Sequence, residues 1–467
     1  MNRDVVIIGG GLSGLAAAIG LIRGGVRPII IETRRKLGGR ATSFIDPRTD
    51  QVLDNCQHVL MGCCTNLMDF YEHLGVLDLV QWHRTLYWAD PPRPPCPMTI
   101  GRLPAPLHHA LGFMRLGLFS MRQKRALARA MWRLIRMGPS GRIQWRHRTF
   151  MEFLRETGQD EDLVERFWNV VVVSACNLDV EHVGAEPAMK VFQEGFLANR
   201  FSPAMGLCTV PLIDLYDPAL EMIQEGGGEV RIGTSVKSIA FDGSRVTSVI
   251  TEHGTISATS VISAVPPDRL LKLVSGTLMD ADSRLRRLDQ IQVSPIVGVH
   301  MFFDQPVMEL PHVILPGRMT HWLFNKGEDE RGLQHVHAVI SGAADLMDRS
   351  EQEIIDSVLA DLHWAIPSSR GLKPVQARSV KERRATFAAV PGIDSIRPST
   401  RPEHARGDGV SNLLVAGDYT DTGWPATMEG AVRSGYAAAE AITGKPTLVP
   451  DIPVGPLAWL MGLRERA

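Results

Sequence analysis

Val5-Val6-Ile7-Ile8-Gly9-Gly10-Gly11-Leu12-Ser13-Gly14 is the stretch that decides the fold. Its first four residues are apolar and β-branched, the composition of a buried strand. Leu15 to Ile22 then repeats apolar residues at helical spacing. A G-x-G-x-x-G turn between a strand and a helix is the context in which that motif holds a dinucleotide. Gly9 serves the tight turn, Gly11 admits a pyrophosphate to the backbone, and Gly14 lets helix pack on strand. The helix start at Leu12 and Ser13 offers free N–H groups and partial positive charge to the phosphates. A second strand, residues 28–31, ends at Glu32, which is placed to accept hydrogen bonds from ribose hydroxyls.

The chain continues Glu32-Thr33-Arg34-Arg35-Lys36-Leu37-Gly38-Gly39-Arg40-Ala41. This E-x-R-x-x-x-G-G-R arrangement resembles the FAD-binding opening of the amine oxidase and phytoene desaturase superfamily. The resemblance implies FAD, held in part by Glu32, Thr33, Arg34, Gly39, Arg40 and Ala41. A second signature lies near the other end. Asn412-Leu413-Leu414-Val415-Ala416-Gly417-Asp418 reads as a strand ending in Gly-Asp, and Thr427-Met428-Glu429-Gly430-Ala431 enters a helix. Gly417 permits close approach to the ribityl–phosphate arm and Asp418 accepts a hydrogen bond there. The N–H groups at the Thr427–Met428 helix start can face the flavin C2 carbonyl. By the same resemblance Val236 meets the adenine through its backbone, and Gln57 and His58 lie beside the isoalloxazine ring.

Composition bounds the rest. A chain of 467 residues, 44% hydrophobic, suggests two or three lobes. Six scattered cysteines form no regular framework, which fits a reduced setting. No signal peptide and no run of apolar residues long enough to span a bilayer are visible. Charge is segregated: residues 91–151 hold twelve Lys or Arg and no acid. Within that block Leu107, Leu111, Met114, Leu118, Met121, Leu127, Met131 and Leu134 form an apolar side. Arg122, Arg125, Arg129, Arg133 and Arg136 recur at three or four residues. The pattern predicts a basic amphipathic lobe lying on an anionic membrane surface. No nucleic-acid module is recognisable, so nucleic acid is not the expected partner.

The expected fold class is α/β. A discontinuous Rossmann-type FAD-binding domain (1–82, 215–285 and 405–445) accompanies a mixed-sheet substrate domain (286–404). A helical, basic, membrane-facing lobe (83–214) and a tail (446–467) complete the chain. Pro91 to Pro97 is expected to break regular structure, and Met205 to Pro211 to form a loop. His335 and His337 share a strand face and read as satisfied strand residues rather than metal ligands; no metal site is expected.

The whole chain resembles squalene-associated FAD-dependent desaturase-like proteins, the hydroxysqualene dehydroxylases of bacterial hopanoid synthesis among them. The residues that carry this are Asp54 to Cys63 (DNCQHVLMGC), Lys381 to Phe387 (KERRATF) and Ala416 to Gly435. The resemblance implies reductive loss of an allylic hydroxyl from a long-chain triterpene by a cytoplasmic enzyme, peripheral on the inner face of the membrane. FAD carries the redox chemistry. An external reductant, NADPH or a reduced flavin, or a partner protein, supplies electrons. His58 is the candidate acid, with Asp54 orienting it or capping the strand, and Glu429 is read as a helix-start residue. Carotenoid-type desaturases run the same fold in the opposite redox direction, and amine oxidases and prenyl-lipid carriers share its ancestry. Oligomeric state is not legible.

Overall fold

The computed structural model describes residues 4–402 and 409–464. The expected boundary between 404 and 405 lies outside them. At the centre is a five-stranded parallel sheet in the order 229–231, 28–31, 5–8, 260–263, 413–415. Its strands come from three distant parts of the chain. Val5, Val6 and Ile7 are almost wholly buried, as strands covered on both faces must be.

The helix Leu12–Arg23 follows the glycine turn and is apolar nearly all round. It is sandwiched against the C-terminal helix Met428–Thr443. Two glycines make this possible. A Cβ on Gly14 would stand 1.9 Å from the Gly9 carbonyl oxygen, and one on Gly435 would stand 2.2 Å from the Ser13 carbonyl oxygen. A three-stranded antiparallel sheet, 236–241, 246–251 and 254–257, hangs beside this domain around the Asp242-Gly243 turn.

The second large sheet has seven strands in the order 376–387, 293–303, 334–341, 322–328, 312–314, 85–90, 93–99. Its last two strands come from the stretch assigned by sequence to the helical lobe. Arg93–Thr99 is a strand despite Pro94, Pro95 and Pro97. Among the described residues it pairs with Thr85–Asp90 alone, at the sheet edge, and the register shifts between Trp88 and Asp90 so that Pro94 and Pro95 fall outside the ladder. Met205–Cys208 likewise is a strand and not a loop: it pairs with Val59–Met61 and Val80–His83.

The helical lobe, from residue 107 to 197, packs Phe150, Phe153 and Phe192 as stacked rings, with Trp168 edge-on to Phe150 and Phe192, in an aromatic core. Helix Met121–Met137 starts on a capping box, Ser120 with Gln123. Its apolar side, Ala126, Leu127, Ala130, Leu134 and Ile135, faces this core. The expectation that this whole apolar side meets a membrane is therefore corrected. Leu118, Leu127 and Leu134 are core residues, whereas Leu107, Leu111, Met114 and Met121 stay exposed. Trp132, Trp459 and Leu460 are exposed as well, the last two on the short helix Pro456–Met461.

The basic block is also partly neutralised. Arg93, Arg133, Arg142, Arg146 and Arg148 each reach an acid outside it: Asp90, Glu156, Glu194, Glu186 and Glu152. Exposed Arg102, Arg115, Arg122, Arg125 and Arg129 make no ion pair among the described residues. No described helix is long and apolar enough to cross a membrane.

Candidate active site

One cavity of about 1150 Å³ runs from the glycine turn into the helical lobe. Its first half is built by the two ends of the chain. Gly9, Gly11, Leu12 and Ser13 line it from the glycine turn; Glu32, Thr33, Arg34, Gly39, Arg40 and Ala41 line it from the segment after the second strand. Val236, Gly417, Asp418, Thr427 and Met428 close it from the later segments, and Gln57 and His58 lie at its middle. Of the sequence-read candidates only Gly14 and Asp54 do not line it. Gly14 lies under the turn, and Asp54 points elsewhere.

The local geometry suits a dinucleotide. Helix Leu12–Arg23 has no side chain capping its N-terminus and no acid in its first turn, so its orphan N–H groups open on the cavity. Glu32 Oε2 accepts the Gly10 N–H at 2.7 Å and Oε1 the Arg34 N–H at 2.7 Å, which aligns the carboxylate at the cavity wall. Arg40 donates to Asp418 Oδ1 at 2.5 Å and to the Ala385 carbonyl at 2.9 Å. Thr427 Oγ1 accepts the Gly430 N–H at 3.1 Å, which caps helix Met428–Thr443, while Met428 and Glu429 at its first turn line the cavity.

Glu429 is wholly buried. It accepts from the backbone N–H groups of Asn66 at 3.1 Å and Leu67 at 2.7 Å, and from Arg433 at 2.6 Å. The capping expected of it is thus spent on a different helix, Thr65–His73.

The stretch Asp54–His58 crosses the face of the large sheet. His300 Nε2 lies 3.0 Å from the Asp54 carbonyl, so that nitrogen carries the proton. Its Nδ1 must then accept from His335 Nε2, 2.9 Å away. His337 stacks on His300 with centroids 3.9 Å apart. His335 is satisfied as the sequence suggested; buried His337 is not, since neither of its nitrogens has a hydrogen-bond partner among the described residues. Burial pushes His300 down to about 4, so the column is neutral at ordinary pH.

Asp54 does not touch His58. Its Oδ1 accepts from Ser43 Oγ at 2.7 Å and the Leu212 N–H at 3.0 Å, and Lys326 Nζ stands 3.6 Å from Oδ2. Lys326 also donates to Gln57 Oε1 at 3.2 Å. Of the two roles read for Asp54, orienting His58 is set aside and holding the strand remains. His58 is oriented instead by the Cys56 carbonyl, 3.0 Å from Nδ1. That bond places the proton on Nδ1 and leaves Nε2 as an acceptor at the cavity. Burial lowers the pKa of His58, so the ring is neutral at neutral pH.

Beyond His58 the wall turns apolar: Leu86, Trp88, Phe113, Met131, Ile135, Phe167, Phe192, Phe196, Trp322 and Phe324. Leu107 and Trp132 both line this chamber and are exposed, so it opens on the apolar and basic face of the helical lobe. All six cysteines are free thiols, and among the described residues no three His, Cys, Asp or Glu converge as metal ligands.

The family model described as flavin containing amine oxidoreductase matches residues 12–443. The chain belongs to this family. It is an FAD-dependent oxidoreductase, and the cavity's first half fits that cofactor. A hydroxysqualene dehydroxylase of Sinorhizobium fredii is 26% identical over 94% of this chain and 98% of its own length. A 15-cis-phytoene desaturase of Synechococcus elongatus is 24% identical over 94% of this chain and 96% of its own. An oxidoreductase structure from Methanosarcina mazei, 18% identical, superposes with a TM-score of 0.72 over 94% of this chain and all of that one. The last comparison speaks to fold alone.

Sequence reading missed His300, Lys326 and Ser43. Each acts through backbone or a neighbour far off in the chain, and none stands in a recognisable spacing.

Proposed function

We propose that this flavoenzyme removes the allylic hydroxyl of hydroxysqualene to give squalene. The observation that carries the reading is the apolar, aromatic-lined chamber continuous with the flavin end of the cavity. The similarity to the Sinorhizobium fredii dehydroxylase supports it.

Glu32, Arg34 and the uncapped helix at Leu12 would hold the ribose and phosphates of FAD, and Asp418 and the Met428 helix start the arm and ring. When bound and reduced, FAD supplies the hydride equivalent for the reaction. The chain's own part is orientation, proton control and exclusion of water. His58 stands at the flavin end of the chamber, where its Nε2 would face the substrate C–O bond. Once Nε2 has taken up a proton from solvent, His58 donates it to the departing oxygen, which leaves as water. The aromatic chamber keeps water from the electron-poor allylic carbon.

Substrate of this kind resides in a bilayer. Exposed Leu107 and Trp132 line the chamber, and exposed Leu111, Met114 and unpaired arginines belong to the same lobe, which supports docking on an anionic membrane.

The Synechococcus elongatus relative favours one second reading, desaturation of a phytoene-like polyene. Product analysis separates the two. Hydroxysqualene with a reductant must give squalene; conversion of phytoene with an electron acceptor, and none of hydroxysqualene, would support the second.

A further inference from the structure

Lys190 and Glu194 line the chamber where it meets the flavin end. Lys190 Nζ is bonded to Glu194 Oε2, and Arg142 Nη1 lies 2.8 Å from Glu194 Oε1. The ammonium also sits 4.9 Å from the ring centroid of Trp424, whose indole is flanked by Arg433 at 5.0 Å. Trp424 immediately precedes the Thr427–Met428 helix start and lines the same cavity.

This pair is out of place in a wall made for hydrocarbon. The other lining cations, Arg34, Arg40, Lys237, Arg269 and Lys272, belong to the dinucleotide strands, their loops and the helix Pro267–Leu273. An ion pair in apolar surroundings is a poor source of stability, and apolar residues in its place are often neutral or stabilising. Burial weakens the hold of Lys190 on its proton, while Lys190 and Arg142 together outweigh burial and keep Glu194 ionised. The winding changes at this point too. Ala185–Lys190 is α-helical and Val191–Leu197 is π-helical, a feature that clusters at functional sites.

We propose that Lys190 and Glu194 form the point at which the chamber reads the hydroxyl of its ligand. The ammonium has three N–H donors and gives one to Glu194, so it can donate another to the ligand oxygen. The carboxylate retains lone pairs to accept the hydroxyl proton. An alcohol satisfies both charged groups; the hydrocarbon product satisfies neither and is released. A site built to bond a hydroxyl discriminates strongly against the analogue that lacks it. This assignment rests on the triterpene reading of the chamber and adds to it the residues that separate alcohol from hydrocarbon.

The test is equilibrium binding to the oxidised, flavin-loaded protein in detergent micelles, followed by tryptophan fluorescence and without turnover. The ligands are hydroxysqualene and squalene. Wild-type protein binds the alcohol about tenfold more tightly or better, as a hydrogen bond to a charged group provides. Lys190→Met brings the two affinities to within about twofold by weakening the alcohol alone. Lys190→Met combined with Glu194→Leu does the same; it leaves Arg142 without its carboxylate, so retained flavin absorbance is the check that it folds. Survival of the alcohol preference in the double variant, or equal binding of both lipids by the wild type, overturns the assignment and leaves the triterpene reading standing. Failure of the wild type to bind either lipid overturns the triterpene reading itself.

Discussion

Ser13 and Ser434 share a hydrogen bond at 3.0 Å across 421 residues of sequence. Ser434 Oγ also donates to the Ala431 carbonyl at 2.6 Å and accepts the Gly417 N–H at 2.8 Å. Its one proton is thereby used, so Ser13 is the donor between them. Three parts of the flavin site, the glycine turn, the Gly417-Asp418 turn and the C-terminal helix, thus meet at one buried oxygen.

Close packing of the two helices is the condition for that meeting. Gly435→Val would drive its side chain into the Ser13 backbone, so the helices must part. The expected loss is about 3 kcal/mol, at the upper end for overpacking, together with loss of bound flavin. Ser434→Ala should cost about 2 kcal/mol, because the buried Gly417 N–H loses its acceptor, and retain flavin. Thermal melts with flavin absorbance as the second readout distinguish the two.

The neutral histidines predict the pH response. Burial holds His300, His312 and His321 each down to about 4, from an ordinary value of 6.5. As pH falls from 6.5 toward 4 the unfolded chain takes protons that the folded chain refuses. Stability from these groups is therefore full above pH 6.5 and declines through that window. Melting temperature should be lower at pH 5 than at pH 7. His337→Phe, which removes another depressed histidine from the stack, should shrink the difference.

These elements differ in how far they could be read from the amino acids. The parallel sheet, the glycine turn and the Gly-Asp strand were legible because their signals are local: apolar runs followed by turn residues. The prolines of 93–99 misled because edge position, which excuses them, is set by a partner strand. The basic block misled in a similar way. Its acids, Glu156, Glu186 and Glu194, lie beyond its end in sequence and return to it only through the fold. His58 stood beside the ring by family pattern, but the group that orients it is its own neighbour's carbonyl rather than Asp54. A carbonyl is present at every residue and carries no sequence signal.

His58→Gln tests the proton role. If neutral His58 must gain a proton to assist departure of the hydroxyl, the wild-type rate rises as pH falls below neutrality. The variant should lose about 10²-fold in rate and lose that pH dependence, with substrate binding little changed. A variant with a wild-type pH profile would show His58 to be a packing residue.

Membrane docking makes a separate prediction. The protein should bind phosphatidylglycerol vesicles more tightly than phosphatidylcholine vesicles, and salt should weaken the difference. Replacing Arg122, Arg125 and Arg129 by Ser should reduce the preference for anionic lipid. Trp459→Ser with Leu460→Ser should weaken binding to both kinds of vesicle. Sedimentation with the vesicles reads each outcome.

The most direct test is a single anaerobic turnover. The purified flavoprotein is reduced, freed of excess reductant and mixed with hydroxysqualene while its visible absorbance is followed. The flavin band should return as squalene forms, in equal amounts. A flavin that stays reduced in the presence of hydroxysqualene, with no squalene produced, would contradict the proposed reaction.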